Sequence, residues 1–232
     1  IQLEGSHLHI VDNNITTNGV DALGVFANNS QDVWIKDNNI TTRGSLAEAV
    51  AIWENNQDID VRNNVLRTTS LDLQAHGIIV GSGNNAIDLA ENDIETASTN
   101  GAGIVLLSGV TDTTITGNMV KTTGNAAQGF YSQGSNTFIT VSDNSFTTTA
   151  LDAAEAIWFG NHHRDITVSD NTVSTMGVQA QGIRFGNFNR RVGIRGNSVE
   201  TAGTNAAGVV MLSNNRDFTI ADNIFNTEGE GV

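Results

Sequence analysis

The chain contains no cysteine and no proline. Without cysteine there are no disulfides and no thiolate-bound metals. The lack of proline suits strands that nearly all lie inside a hydrogen-bonded stack, because proline removes a backbone donor. Basic residues are few: 11 Lys and Arg stand against 25 Asp and Glu, a net charge of −14. That balance argues against nucleic acid, whose phosphates need cations, and against an anionic membrane surface. No apolar run approaches the ~18 residues of a membrane span, so no insertion of this segment is expected. The chain also lacks an initial Met and a signal peptide. Residues 1–232 therefore read as a single domain that is a piece of a longer chain, without its caps.

What is present is repetition. Asp12-Asn13-Asn14-Ile15-Thr16-Thr17 returns as Asp37-Asn38-Asn39-Ile40-Thr41-Thr42, Asp143-Asn144-Ser145-Phe146-Thr147-Thr148 and Asp170-Asn171-Thr172-Val173-Ser174-Thr175. Alignment gives nine anchors: Asn13, Asn38, Asn64, Asn92, Asn118, Asn144, Asn171, Asn197 and Asn223, spaced by 25 to 28 residues. The position two after each anchor is always apolar, from Ile15 to Phe225, and so is the position three before, from Ile10 to Ile220. A third apolar segment follows a small residue, as in Gly24-Val25, Ala51-Ile52, Gly77-Ile78 and Gly103-Ile104. Apolar positions alternate with period two and are rich in β-branched residues, the mark of strands rather than helices. Three such strands cannot bury their faces alone, but stacked coils share one core. The expected fold is all-β: a parallel solenoid of about nine coils of about 26 residues, with three short strands per coil and a length of roughly 40 Å at the strand spacing.

The anchor asparagine falls between the second and third strands, where the chain must turn. Asn tolerates the left-handed region, and its amide both donates and accepts. Stacked amides are expected to form a ladder. Four residues later every coil carries threonine: Thr17, Thr42, Thr68, Thr96, Thr122, Thr148, Thr175, Thr201 and Thr227. Alternation points these inward, where each hydroxyl can satisfy turn backbone groups. Both columns read as structural.

The pattern Gly-apolar-x-apolar, apolar-x-apolar, Asn-x-apolar resembles the right-handed parallel β-helix superfamily that includes pectate lyases, over essentially the whole chain. The phrases Thr122-x-Gly124-x-x-Ala127-x-Gly129-Phe130 and Thr175-x-Gly177-x-x-Ala180-x-Gly182-Ile183 are similar to repeats of surface adhesins and autotransporter passengers. That resemblance implies an extracellular or cell-surface location.

Two features remain for function. One is an outward stripe on the first strand: Phe26, Trp53, Ile79, Val105, Tyr131, Trp158, Arg184 and Val210. Its small neighbours are expected to leave the aromatic faces open, for a protein interface, a sugar, or another part of the chain. The other is a set of titratable groups. In pectate-lyase-like enzymes the groove lies along this same strand, yet His76, Glu54, Glu155, Arg184 and the pair His162-His163 are scattered over several coils. Turns are short throughout, without the long loops that usually carry catalysis. No catalytic residue is assigned.

The acidic residues before the anchors, Asp12, Asp37, Glu91, Asp143, Asp170 and Asp222, raise calcium as a candidate. However, one carboxylate per coil is too few without turn carbonyls, so no cofactor or metal is expected. Arg164, Arg190 and Arg216 form a like-charge column, expected to be relieved by the neighbouring Asp165, Arg191 and Asp217. The reading is a non-enzymatic structural or adhesive solenoid of a bacterial surface protein or fibre. Its expected partners are copies of itself, flanking domains, or a polysaccharide. The alternatives are a uronate lyase, an epimerase or a carbohydrate binder, and a trimeric phage spike.

Overall fold

The computed structural model describes residues 1–70, 74–150 and 152–229. Every strand pairing among them is parallel, and each strand pairs with its counterpart one coil away. Third strands, such as Asn39–Thr42 and Met119–Thr122, form a nine-stranded sheet of their own. First strands such as Ile104–Leu106 and second strands such as Thr111–Thr116 are joined into one 16-stranded sheet. The join is made by Val25–Lys36, which runs around the first corner without a break.

The core lies inside the coil. Its columns stack in register: Ile15 on Ile40, Ile94 on Val120, Ile115 on Val141. Most of these side chains are fully buried. Aromatics fill the later coils, where Phe159 packs flat on Phe185 at 5.0 Å and edge-on to Phe130 at 5.3 Å.

The asparagine ladder runs the length of the stack. The amide of Asn13 donates to Asn38 at 3.1 Å, and the chain of bonds continues through Asn64, Asn92, Asn118, Asn144, Asn171 and Asn197 to Asn223. Each Oδ1 also accepts the backbone N–H of the preceding anchor, as Asn144 does from Asn118 at 2.9 Å. The remaining amide hydrogen goes to nearby carbonyls, Leu89 and Thr116 in the case of Asn118, the second of which also accepts the Glu91 N–H. Threonine hydroxyls close the next corner, as in Thr96 to Gly101 O at 2.8 Å and Thr122 to Ala127 O at 2.7 Å.

One expectation is corrected here. The left-handed residue at this corner is the one before the anchor: Asp12, Asp37, Asn63, Glu91, Gly117, Asp143, Asp170, Gly196 and Asp222 all have φ between 55° and 65°. Asp, Asn and Gly are the residues that enter this region most readily. Backbone geometry thus accounts for most of the acidic column, whose carboxylates all lie at exposed positions.

The small residues are also reassigned. Gly24 bonds to the Glu48 carbonyl and Val25 pairs with Val50, so the second coil's small residue is Ala49, not Ala51. These residues face inward. A Cβ on Gly103 would lie 2.2 Å from Val120 Cγ1, and one on Gly77 would lie 2.3 Å from Ile94 Cγ2. They let the third strand close against the corner; they do not clear space around the outer aromatics.

Candidate ligand groove on the first face

The outward positions of the first strands stack as Phe26, Ala51, Ile79, Val105, Tyr131, Trp158, Arg184 and Val210. Trp53 is not in this column. It stands two residues further along the chain, just past the end of the strand Val50–Ile52 and beside the glycine of the next coil, where a Cβ on Gly81 would meet the Trp53 carbonyl at 2.6 Å. Trp53 still points outward and packs with Leu23, Phe26, Leu107 and Tyr131 around Ala51, Ile79, Ala102 and Val105. This is a second apolar cluster, outside the coil. Ile79 is 6% exposed and Val105 only 2%, core values for side chains on an outer face.

A parallel column forms the wall. The residue before each small one carries the carbonyl that bonds the preceding coil: Glu48, His76, Ala102, Gln128, Glu155, Gln181 and Ala207. His76, Ala102, Gln128 and Glu155 of this column, with the floor from Ile79 to Arg184, line a groove of about 570 Å³. Tyr131 lies 4.7 Å from Trp158, and the Arg184 guanidinium sits 5.0 Å from the Trp158 ring on the following coil. Arg184 Nη1 in turn donates to Glu155 Oε1 at 2.6 Å. Trp158 is therefore held between two neighbours and does not offer two open faces.

A model of the right-handed β-helix region matches residues 1–173. The chain belongs to the right-handed β-helix family. No curated protein sequence matches it. Among solved structures, it is similar to PfbA, a surface adhesin of Streptococcus pneumoniae, with a TM-score of 0.64 at 14% identity; the likeness covers 97% of this chain but 61% of that one. A second PfbA structure gives a TM-score of 0.48 at 13% identity over 98% and 66% of the two chains. The A-module of the mannuronan C-5 epimerase AlgE4 from Azotobacter vinelandii gives 0.36 at 12% identity over 100% and 82%. At these identities the likeness is one of fold.

Within this β-helix the titratable candidates separate. His76 and Glu155 share the wall but stand three coils apart. Burial pushes the His76 imidazole down to about 4, and its Nδ1 accepts the Ala102 N–H at 3.0 Å. Glu48, in the coil before His76, is pushed up to about 7, mainly by burial. Glu54 lies outside the groove lining. Among the described residues, no three His, Asp or Glu side chains converge on a point that could hold a metal ion, and no helix is long and apolar enough to cross a membrane.

His162 and His163 part company. His163 is fully buried and belongs to a second ladder, eight residues before each anchor: Ser30, Asn56, Asn84, Val110, Asn136, His163, Asn189 and Asn215. Its Nδ1 accepts from Asn136 N at 3.2 Å, so Nε2, 3.2 Å from Ser132 O, must carry the proton. Burial lowers its pKa to about 4, so it is neutral and structural. Sequence reasoning missed this ladder because Ser, His and Val interrupt it. Reading the column eight before the anchor, where Asn fills five of the nine coils, would have exposed it.

Proposed function

We propose that this β-helix is a non-enzymatic, adhesive segment of a bacterial surface protein, and that the first-face groove takes an extended partner lying along the axis. One observation carries the reading. Ala51, Ile79 and Val105 form an outward apolar floor as dry as the core, flanked by Phe26, Trp53 and Tyr131, with Trp158 against Tyr131. Outer apolar strips of this kind usually mark contacts. The PfbA likeness supports the reading, and so does the separation of His76 from the Glu155–Arg184 pair, three coils along the groove. A surface location follows from the same reading.

Beads coated with the chain should adhere to cultured epithelial cells. The double variant Tyr131→Ala/Trp158→Ala, checked for folding by circular dichroism, should retain less than a tenth of that adhesion. Undiminished adhesion would remove the groove from the reading. Turnover of a uronate polymer, abolished by His76→Ala, would replace the reading with the enzymatic one.

A further inference from the structure

A second surface, at the corner between the first and second faces, breaks three local rules at once. Arg164, Arg190 and Arg216 stack in register, so their backbones sit one strand spacing apart, about 4.8 Å. Like charges placed directly opposite across strands destabilise the pairing. The expected relief reaches only one end of the stack. Asp165 bonds Arg191 at 2.6 Å and lies 3.3 Å from Arg164 Nε, without hydrogen-bond alignment. Arg190 and Arg216 make no ion pair with any described residue, in a chain of net charge −14. Elsewhere Lys36, Arg62, Arg67, Lys121, Arg184 and Arg191 meet carboxylates, whereas Arg43 bonds only the Asn18 amide oxygen and Arg195, like Arg190 and Arg216, has no ion pair among the described residues.

The second anomaly is backbone. His162, Phe188 and Asn214 occupy left-handed positions with φ of 65°, 62° and 61°. The same corner is left-handed in earlier coils, at Asn29, Asn55, Gly83, Gly109 and Ser135, so the conformation belongs to the fold; Asn, Gly and His enter it readily, and the outlier is the bulky Phe188. The third is exposure. Phe188 is 51% exposed and stacks flat on His162, with centroids 5.0 Å apart. These side chains line a recess of about 720 Å³ with Arg190, Arg216, Asn214 and Asn215, and no carboxylate joins the lining.

We infer that this corner is a binding site for a sulfated carbohydrate, with Arg190 and Arg216 holding sulfate oxygens and the His162–Phe188 pair supporting a sugar ring. Guanidinium forks match tetrahedral oxyanions in a bidentate way. An exposed flat ring pair suits the apolar face of a sugar; a bare phosphate chain has no such face. The overall charge of −14 disfavours any long polyanion, nucleic acid included. Because that charge repels polyanions beyond the local patch, contact is confined to a few ångströms and to about a Debye length, ~8 Å at physiological salt. The bound segment thus spans two or three coils.

The test titrates the chain with a heparin-derived hexasaccharide, its desulfated counterpart and inorganic tripolyphosphate, each at 50 and 500 mM salt. The sulfated sugar should bind at least ten-fold tighter than the other two at low salt and lose most of that affinity at high salt. Arg190→Gln, Arg216→Gln and Phe188→Ala should each weaken it at least ten-fold. Lys121→Gln, the same charge change on the third face, should leave it within two-fold. Arg216 is exposed, so its variant retains the fold if Arg190→Gln does not. Unchanged binding by Arg216→Gln would overturn the inference. So would equal binding of tripolyphosphate with no effect of Phe188→Ala, which would reduce the corner to a generic anion patch.

Discussion

A single anchor asparagine satisfies several buried groups at once, so the ladder is sensitive to truncation. Replacing Asn118 by Ala removes the acceptor of the Asn92 amide and backbone N–H and a donor to the Leu89 carbonyl. Each unsatisfied buried group costs about 1–3 kcal/mol. Asn118→Ala should therefore lose about 3 kcal/mol or more, read as a fall in Tm. The buried titratable groups give a signed pH dependence. His76 and His163 have folded pKa values of about 4, below the ordinary 6.5. The unfolded chain thus takes up protons first, and their contribution is lost as pH falls from 6.5 towards 4. Glu48 works the other way: with a folded value of about 7 against 4.5, its contribution is full below 4.5 and lost as pH rises through 7. Glu48→Gln should raise Tm at pH 8, by up to about 3 kcal/mol of stability, with the gain vanishing near pH 4.5. An equal gain at both pH values would refute the assignment. The anchors and the threonines were legible in the sequence because each column holds one residue type. The second ladder was not, because Asn56 and His163 do the same work with different chemistry.

At the level of the strand, the corner glycines set how closely the third face approaches the first. Gly103→Ala should destabilise by about 1–3 kcal/mol, the usual range for overpacking, since its Cβ would meet Val120 Cγ1 at 2.2 Å and Gly129 O at 2.7 Å. Adding Val120→Ala should recover part of that loss only if the side-chain clash dominates; a double-mutant cycle measures the coupling. The segment Ala49-Val50-Ala51-Ile52 shows why the second coil's register was not legible. A shift of two residues keeps every side chain on its own face, so inside–outside alternation cannot detect it. Only the backbone bond from Gly24 to Glu48 fixes the choice. The floor of the groove was readable apart from Trp53. Its wall was not, because Glu48, His76, Gln128 and Glu155 share a position but no chemistry.

As a whole the molecule is one-dimensional: each coil packs on the next and on nothing further away. Opening should begin at the ends, as expected for stacked repeats. Amide hydrogen exchange should therefore be slowest in Ile94, Val120 and Phe146 and fastest in Ile15 and Phe225, where side chains are already half-buried or exposed. Uniform protection along the axis would contradict this. The asparagine ladder adds a sense of travel. In the bonds between anchors each amide donates to the asparagine of the C-terminal coil and each Oδ1 accepts from that of the N-terminal one, so the ladder is an arrow. One end can only receive such bonds and the other can only give them. Two solenoids of this kind could continue one another head to tail, in a single polarity that builds open filaments, whereas head-to-head joining would set donor against donor.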